Sequence, residues 1–185
     1  MNITISYQLT QNDYYEFYYY AAWDAPWNKK KRLTYFIQAL LFGLIIVVVM
    51  VYSFERKTLV SVISSVLLFF TIYIGLLLIM RKDGFRRTAR RIFEDPKNAN
   101  LFLKTELSFD ETGISGKDGL SETRISWSGI VRSSSTPKHY FLFFSEMNAL
   151  TIPKRIFKTS VEEDAFENML AQYIPLQANL ASFDK

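Results

Sequence analysis

The sequence predicts an α+β membrane protein, a two-helix transmembrane hairpin carrying a small antiparallel β domain that a C-terminal helix closes. Three observations predict it. Two unbroken apolar runs, 33–52 and 59–80, are separated only by the polar link 53–58. Basic residues crowd the outer flank of each run. From Leu101 onward the apolar residues alternate in short stretches, until a last segment returns to helical spacing.

Residues 1–28 precede the hairpin. Ile3, Ile5, Tyr7 and Leu9 alternate with Asn2, Thr4, Ser6 and Gln8, the pattern of a half-buried strand. Thr10, Asn12 or Asp13 can cap a following helix that runs to about Ala22. Its aromatic residues, Tyr14, Tyr15, Phe17, Tyr18, Tyr19 and Tyr20, are too many for one stripe. They are expected to divide between a protein surface and lipid headgroups. Trp23 and Trp27 flank Pro26 and suit an interfacial aromatic belt.

The hairpin with its basic flank spans 29–80. The two runs are 20 and 22 residues long and contain no charged residue and no histidine. At about 1.5 Å rise per residue each crosses a hydrocarbon core of roughly 30 Å, and a helix satisfies its own backbone hydrogen bonds in lipid. The first run is expected to act as an uncleaved insertion signal. Gln38 carries the one amide side chain of the spans, and antiparallel packing sets it level with residues from Thr71 to Tyr73. A hydrogen bond from Gln38 to Thr71 or Tyr73 is expected, because an unpaired amide in lipid is costly. Gly43, Ser61, Ser64, Ser65 and Gly75 offer close helix approach, within the hairpin or between copies in a homo-oligomer.

Charge sets the topology. Lys29, Lys30, Lys31 and Arg32 precede the first run, and Arg81, Lys82, Arg86, Arg87, Arg90 and Arg91 follow the second. The link holds only Arg56 and Lys57 against Glu55. Both termini are therefore expected in the cytoplasm and the link outside. Setting aside those ten basic residues and Asp83 leaves 12 basic residues against 17 acidic ones. The basicity is a collar beside the membrane, and nucleic acid is not an expected partner. Residues 81–97 read as a continuation of the second helix, with Phe85, Ala89, Ile92 and Phe93 at helical spacing and arginines on the other faces. Arg86, Arg87, Arg90 and Arg91 are candidates to contact an anionic leaflet or a partner. Asp95-Pro96 ends the helix.

Residues 98–175 form the β domain, followed by a tail at 176–185. Leu101, Leu103, Thr105, Leu107 and Phe109 share a strand face, and a turn at Asp110-Glu111-Thr112-Gly113 leads to Ile114. Asp118-Gly119 is a hairpin signal before 121–127. Ile130 and Val131, then Tyr140 to Phe144, then Ala149 to Ile152 supply further strands, with Ser133 to Thr136 a connection. Ser160 with Glu163 suggests a capping box for a helix to about Tyr173, its apolar face made by Val161, Phe166, Met169, Leu170 and Tyr173. A bent small sheet plugged by one helix is the arrangement of pleckstrin-homology-like domains, and the analogy concerns fold alone.

The segment order and four stretches resemble the YcxB-like family of bacterial membrane proteins. The stretches are Phe109-Asp110-Glu111-Thr112-Gly113-Ile114, Ile125-Ser126-Trp127-Ser128-Gly129-Ile130, Tyr140-Phe141-Leu142-Phe143 and Ile152-Pro153-Lys154-Arg155-Ile156-Phe157. Residue 129 is glycine where the family's tryptophan motif suggests an acid. The resemblance implies the two-span topology and a pleckstrin-homology-like fold, and it carries over no catalytic residue.

Chemistry is constrained by what the chain lacks. It has no cysteine and one histidine, so disulfides, thiolate sites and multi-histidine metal sites are excluded. No phosphate-cradling glycine motif occurs, and no cofactor is expected. His139 reads as a turn residue entering a strand, and Trp127 as core. Lys154 and Arg155 after Pro153 are the remaining distinctive charged pair, candidates to meet phosphate headgroups or a partner's acids. The expected function is a non-enzymatic binding module anchored in the bacterial inner membrane, engaging a protein partner or anionic lipid. The alternative is an immunity protein that neutralises a cognate toxin.

Overall fold

Two segments far apart in sequence meet in one sheet. In the computed structural model, which describes residues 3–52 and 58–174, strand β1 (Ile3–Tyr7) pairs antiparallel with β2 (Thr105–Asp110). Ile3 lies opposite Phe109, and Tyr7 opposite Thr105. Asn2, the link at 53–57 and the tail from Pro175 lie outside the described residues, as do the expectations that fall on them. Strands β3 (Gly113–Lys117) and β4 (Glu122–Ser126) complete a four-stranded sheet in the order β1-β2-β3-β4. Strands β5 (Arg132–Ser135), β6 (His139–Ser145) and β7 (Asn148–Pro153) form a second antiparallel sheet in that order.

The main core lies between the sheets and the C-terminal helix α4 (Ser160–Tyr173). Leu107, Phe109, Ile114 and Trp127 meet Tyr140, Leu142 and Ile152 there, and Phe166, Met169 and Leu170 close the open end. Strand β6 is buried on both faces, from His139 to Phe143. Tyr140 and Leu142 point to this core, while Phe141 and Phe143 join a second cluster with Phe17 and Ala21. A continuous apolar run is what a strand covered on both sides requires.

Helix α1 (Gln11–Tyr19) supplies that second cover. Thr10 caps it: its hydroxyl accepts from the Asp13 amide at 3.2 Å, and the Asp13 carboxylate accepts from the Thr10 amide at 2.8 Å. A π-helical turn, Tyr20–Asp24, and a 3-10 turn, Pro26–Asn28, lead into α2 (Lys29–Tyr52). Helix α3 (Leu59–Glu94) has 36 residues, about 54 Å at 1.5 Å each, so the second apolar run and its basic extension form one rod. Helices α2 and α3 are long and apolar enough to cross a membrane, with mean hydropathies of 2.1 and 2.6 over the qualifying segments. Gly43 allows their approach: a Cβ there would press on the rings of Phe70 at 3.0 Å and Tyr73 at 3.3 Å.

Several element bounds differ from the sequence reading. The strand expected from Leu101 begins at Thr105, because Pro96 and the Asp95 carboxylate, accepting from the Lys97 amide at 3.0 Å, sustain a 3-10 stretch, Pro96–Phe102. Phe102 is buried there against Phe93, with ring centroids 4.6 Å apart. The segment 133–135, read as a connection, is strand β5, and Ile130 is a core residue just ahead of it. Thr159 rather than Ser160 caps α4, accepting from the Glu162 amide at 3.3 Å. That shift leaves Val161 exposed, outside the apolar face.

The turn between β2 and β3 needs its glycine. Gly113 has φ +155°, and a Cβ on it would overlap the Ile125 carbonyl oxygen on β4. Gly113→Ala is expected to cost about 3 kcal/mol and to lower the thermal midpoint by about 10 °C, read by circular dichroism of the detergent-solubilised chain.

Candidate functional site

The residues that carry charge and aromatic surface converge where the apolar helices meet the β layers. Helix α1 is the wedge between them. Its inner side packs on β6: Phe17 lies 6.0 Å from Phe141, and Tyr20, just past the helix, stacks on Phe141 at 5.1 Å. Its outer side packs on α3: Tyr18 and Tyr19 meet Phe85 edge-on at 5.5 and 5.3 Å, and the Arg86 guanidinium lies 5.5 Å from the Tyr15 ring. The aromatic residues thus divide between two protein surfaces, β6 and the extension of α3.

A buried ionic cluster locks this wedge. Asp13 is 2% exposed, and its carboxylate accepts from Arg155 Nη1 at 2.5 Å and Nη2 at 2.7 Å and lies 2.8 Å from His139 Nε2. Burial pushes the Asp13 carboxyl up, but hydrogen bonds from His139, Arg155 and Thr10 overcome this and hold it well below the usual carboxylate range. An ionised carboxylate can only accept, so Nε2 of His139 carries the proton and donates. The ring lies flat against Phe141 at 5.6 Å and is 2% exposed. Both side chains of this His–Asp pair are buried, and their contact fastens α1 to β6. The sequence reads His139 as a turn residue entering a strand, and it is the first residue of β6, but its burial was not foreseen. The available signal was alternation, which sets it on the same face of β6 as Phe141 and Phe143.

Lys154 and Arg155, candidates for phosphate or a partner's acids, both pair with acids inside the fold. Arg155 grips Asp13 and also donates to the Gln8 carbonyl at 3.2 Å. Lys154 pairs with Glu163 at 2.9 Å and sits 4.3 Å from the Tyr140 ring centroid. The Tyr140 hydroxyl lies 2.7 Å from a Glu163 carboxylate oxygen and 2.5 Å from one of Glu167. Burial and these two carboxylates raise the Tyr140 phenol well above its ordinary value, so it stays protonated as a donor. Both cations bind elements of one core together, because the 3-10 turn after Pro153 aims them at α1 and α4.

The collar residues separate into two groups. Arg32 donates to the carbonyls of Trp23, Asp24 and Ala25 at 2.6, 2.9 and 2.8 Å, closing the π-helical turn. Arg81 lies 3.0 Å from the Trp23 ring centroid and 3.8 Å from that of Tyr35. Arg86, Arg87, Arg90 and Arg91 are all exposed on α3, Arg90 in an ion pair with Glu94 at 2.7 Å. In the helix pair Gln38 is exposed. The polar contact there is made by Tyr73, whose hydroxyl donates to the Ala39 carbonyl at 3.1 Å, while Thr71 bonds Leu67 of its own helix at 2.9 Å. A backbone carbonyl takes the place foreseen for the Gln38 amide because the Tyr73 ring reaches the α2 surface beside Gly43. Among the described residues no group of three His, Cys, Asp or Glu could hold a metal ion.

The stretches around Asp110 and Trp127 hold each other in place. Asp110 accepts from the amides of Thr112 and Gly113 at 2.7 and 3.0 Å, and the Trp127 indole donates to its carbonyl at 2.8 Å. Trp127 in turn stacks on Tyr173 of α4 at 5.1 Å. No curated protein and no solved structure matches the chain. A protein-family model does: residues 109–170, from the end of β2 into α4, match the family described as YcxB-like protein, the family that the motifs of this stretch resemble.

Proposed function

We propose that this chain is a two-span protein of the bacterial inner membrane, with both termini in the cytoplasm, acting as a non-enzymatic module that engages the anionic inner leaflet. The carrying observation is α3 itself. One unbroken helix joins an apolar segment to exposed Arg86, Arg87, Arg90 and Arg91, which holds those charges at headgroup depth when the apolar segment is in lipid. The buried share of the apolar windows is 6% in α2 and 0% in α3, unlike the core helices of a soluble protein. Helix α2 is not a removable leader on this reading, because β1 and α1 before it build the first sheet and cover β6. Four strands, three strands and a closing helix also support a pleckstrin-homology-like reading of the β layers.

The chain has no cysteine, so single cysteines report topology directly. An impermeant maleimide applied to spheroplasts is expected to label Lys57→Cys and to spare Glu111→Cys. Polymer-excised membrane particles from cells are expected to be enriched in anionic lipid around the protein. Replacing Arg86, Arg87 and Arg91 by glutamine should lower that enrichment several-fold, at about 1 kcal/mol per charge. Unchanged enrichment would defeat the leaflet role, and labelling of Glu111→Cys would defeat the topology.

A further inference from the structure

We infer that the groove beside Arg81 is a binding site for a single anionic phospholipid, its phosphate on the Arg81 guanidinium and one acyl chain along α3. The inference deepens the membrane reading above and rests on it. A cavity of about 490 Å³ opens where α1, α2 and α3 meet, lined among others by Tyr18, Tyr35, Leu77, Met80, Arg81 and Gly84. Its two ends differ in chemistry. Leu77 and Met80 belong to the uncharged apolar run, whereas Arg81 and Gly84 begin the basic extension one turn later. The groove therefore runs along α3 from hydrocarbon depth to headgroup depth, which is the division between the tail and the phosphate of a lipid.

Arg81 supplies the anion specificity. Its guanidinium is packed against the rings of Trp23 and Tyr35, at 3.0 and 3.8 Å from their centroids. The two rings stand 81° apart and wall the guanidinium on two sides, and a planar guanidinium so held grips a phosphate through its N–H groups. Among the described residues no carboxylate forms an ion pair with Arg81 and no hydrogen bond satisfies its N–H groups. The neighbouring cations are treated differently: Arg32 is spent on three carbonyls and Arg90 on Glu94. Gly84 keeps the wall open, since a Cβ there would meet nothing within 4 Å. A soluble phosphate would use the charged end alone. The apolar end at Leu77 and Met80 selects a lipid.

The test uses the full chain, reconstituted in vesicles of phosphatidylcholine and phosphatidylglycerol, extracted in mild detergent and examined by native mass spectrometry. The wild-type protein is expected to retain one phosphatidylglycerol. Arg81→Gln removes the phosphate contact and Gly84→Leu fills the groove, and each should lower the lipid-bearing fraction by about tenfold or more. Leucine at 84 enters open space on a helix, so an unchanged melting midpoint shows that the fold is intact. The triple change at Arg86, Arg87 and Arg91 should leave the retained lipid in place, which separates this site from the diffuse collar. Phosphatidylcholine retained equally, or phosphatidylglycerol retained by Gly84→Leu, overturns the site while an alkali-resistant protein upholds the membrane reading. Release of the wild-type protein by alkali overturns both.

Discussion

Replacing Asp13 by asparagine is expected to cost about 3 kcal/mol, because it removes one partner from a buried ionic cluster and leaves the others uncompensated. The asparagine amide would set N–H groups against the Arg155 or His139 donors that now face carboxylate oxygens at 2.5 to 2.8 Å. It would also weaken the cap of α1, since the same carboxylate accepts from the Thr10 amide. Arg155→Ala should cost less, because its side chain is 49% exposed and water replaces part of what is lost. A double-mutant cycle between the two positions checks the coupling, read as thermal midpoints in detergent. The pH dependence has a definite sign. The folded Asp13 carboxyl titrates below its ordinary value of 3.8, so its stabilisation is complete above that value and is lost as pH falls through the folded range. The gap between wild type and Asp13→Asn should narrow as pH falls below about 4. A gap that stays constant to about pH 2 would show that Asp13 acts without its charge.

The sequence reading reached some of this and missed the rest for identifiable reasons. Thr10 and Asp13 were legible as cap candidates, because capping is local and depends on spacing. The second duty of Asp13, toward residues 126 and 142 positions further along, leaves no local trace. Strand β6 was legible as a strand from its run of aromatics. That both its faces are covered depends on α1 folding over it, a tertiary fact. Lys154 and Arg155 stand out in sequence because proline precedes them, and the same feature suits a surface contact or an inward turn equally well. Their ion pairs are made with Glu163 and Asp13, which lie on other elements. Gln38 was given a partner by its chemistry, but helix rotation decides which side chain faces the seam, and Tyr73 occupies it. The apolar helices themselves needed no tertiary information, since their length and lack of charge are properties of the chain alone.

A fragment covering 98–174 is expected not to fold, although it keeps six of the seven strands and α4. The first sheet would lose Ile3, Ile5 and Tyr7, including the hydrogen bond from the Tyr7 hydroxyl to the Thr151 carbonyl at 2.8 Å. That bond joins the two sheets. Without α1, Phe141 and Phe143, at 1% and 0% exposure, would face water beside His139 and Arg155 with no Asp13. Burial of one such aromatic is worth about 1.5–3 kcal/mol, and a small domain has only about 5–15 kcal/mol in all. The loss of two aromatic contacts, an edge strand and an ionic cluster therefore consumes the whole margin. Joining 3–28 to 81–174 through a flexible Gly/Ser linker should restore a cooperative melt, because α1 then regains both β6 and the α3 extension that carries Phe85 and Ala89. Tyr18 and Tyr19 against Phe85 would hold that extension without any lipid present. A cooperative melt from 98–174 alone would mean that the N-terminal segment only decorates the β layers. Melting of the linked chain together with failure of the short one would mean that the helix pair is inserted into a fold whose first strand and first helix it interrupts.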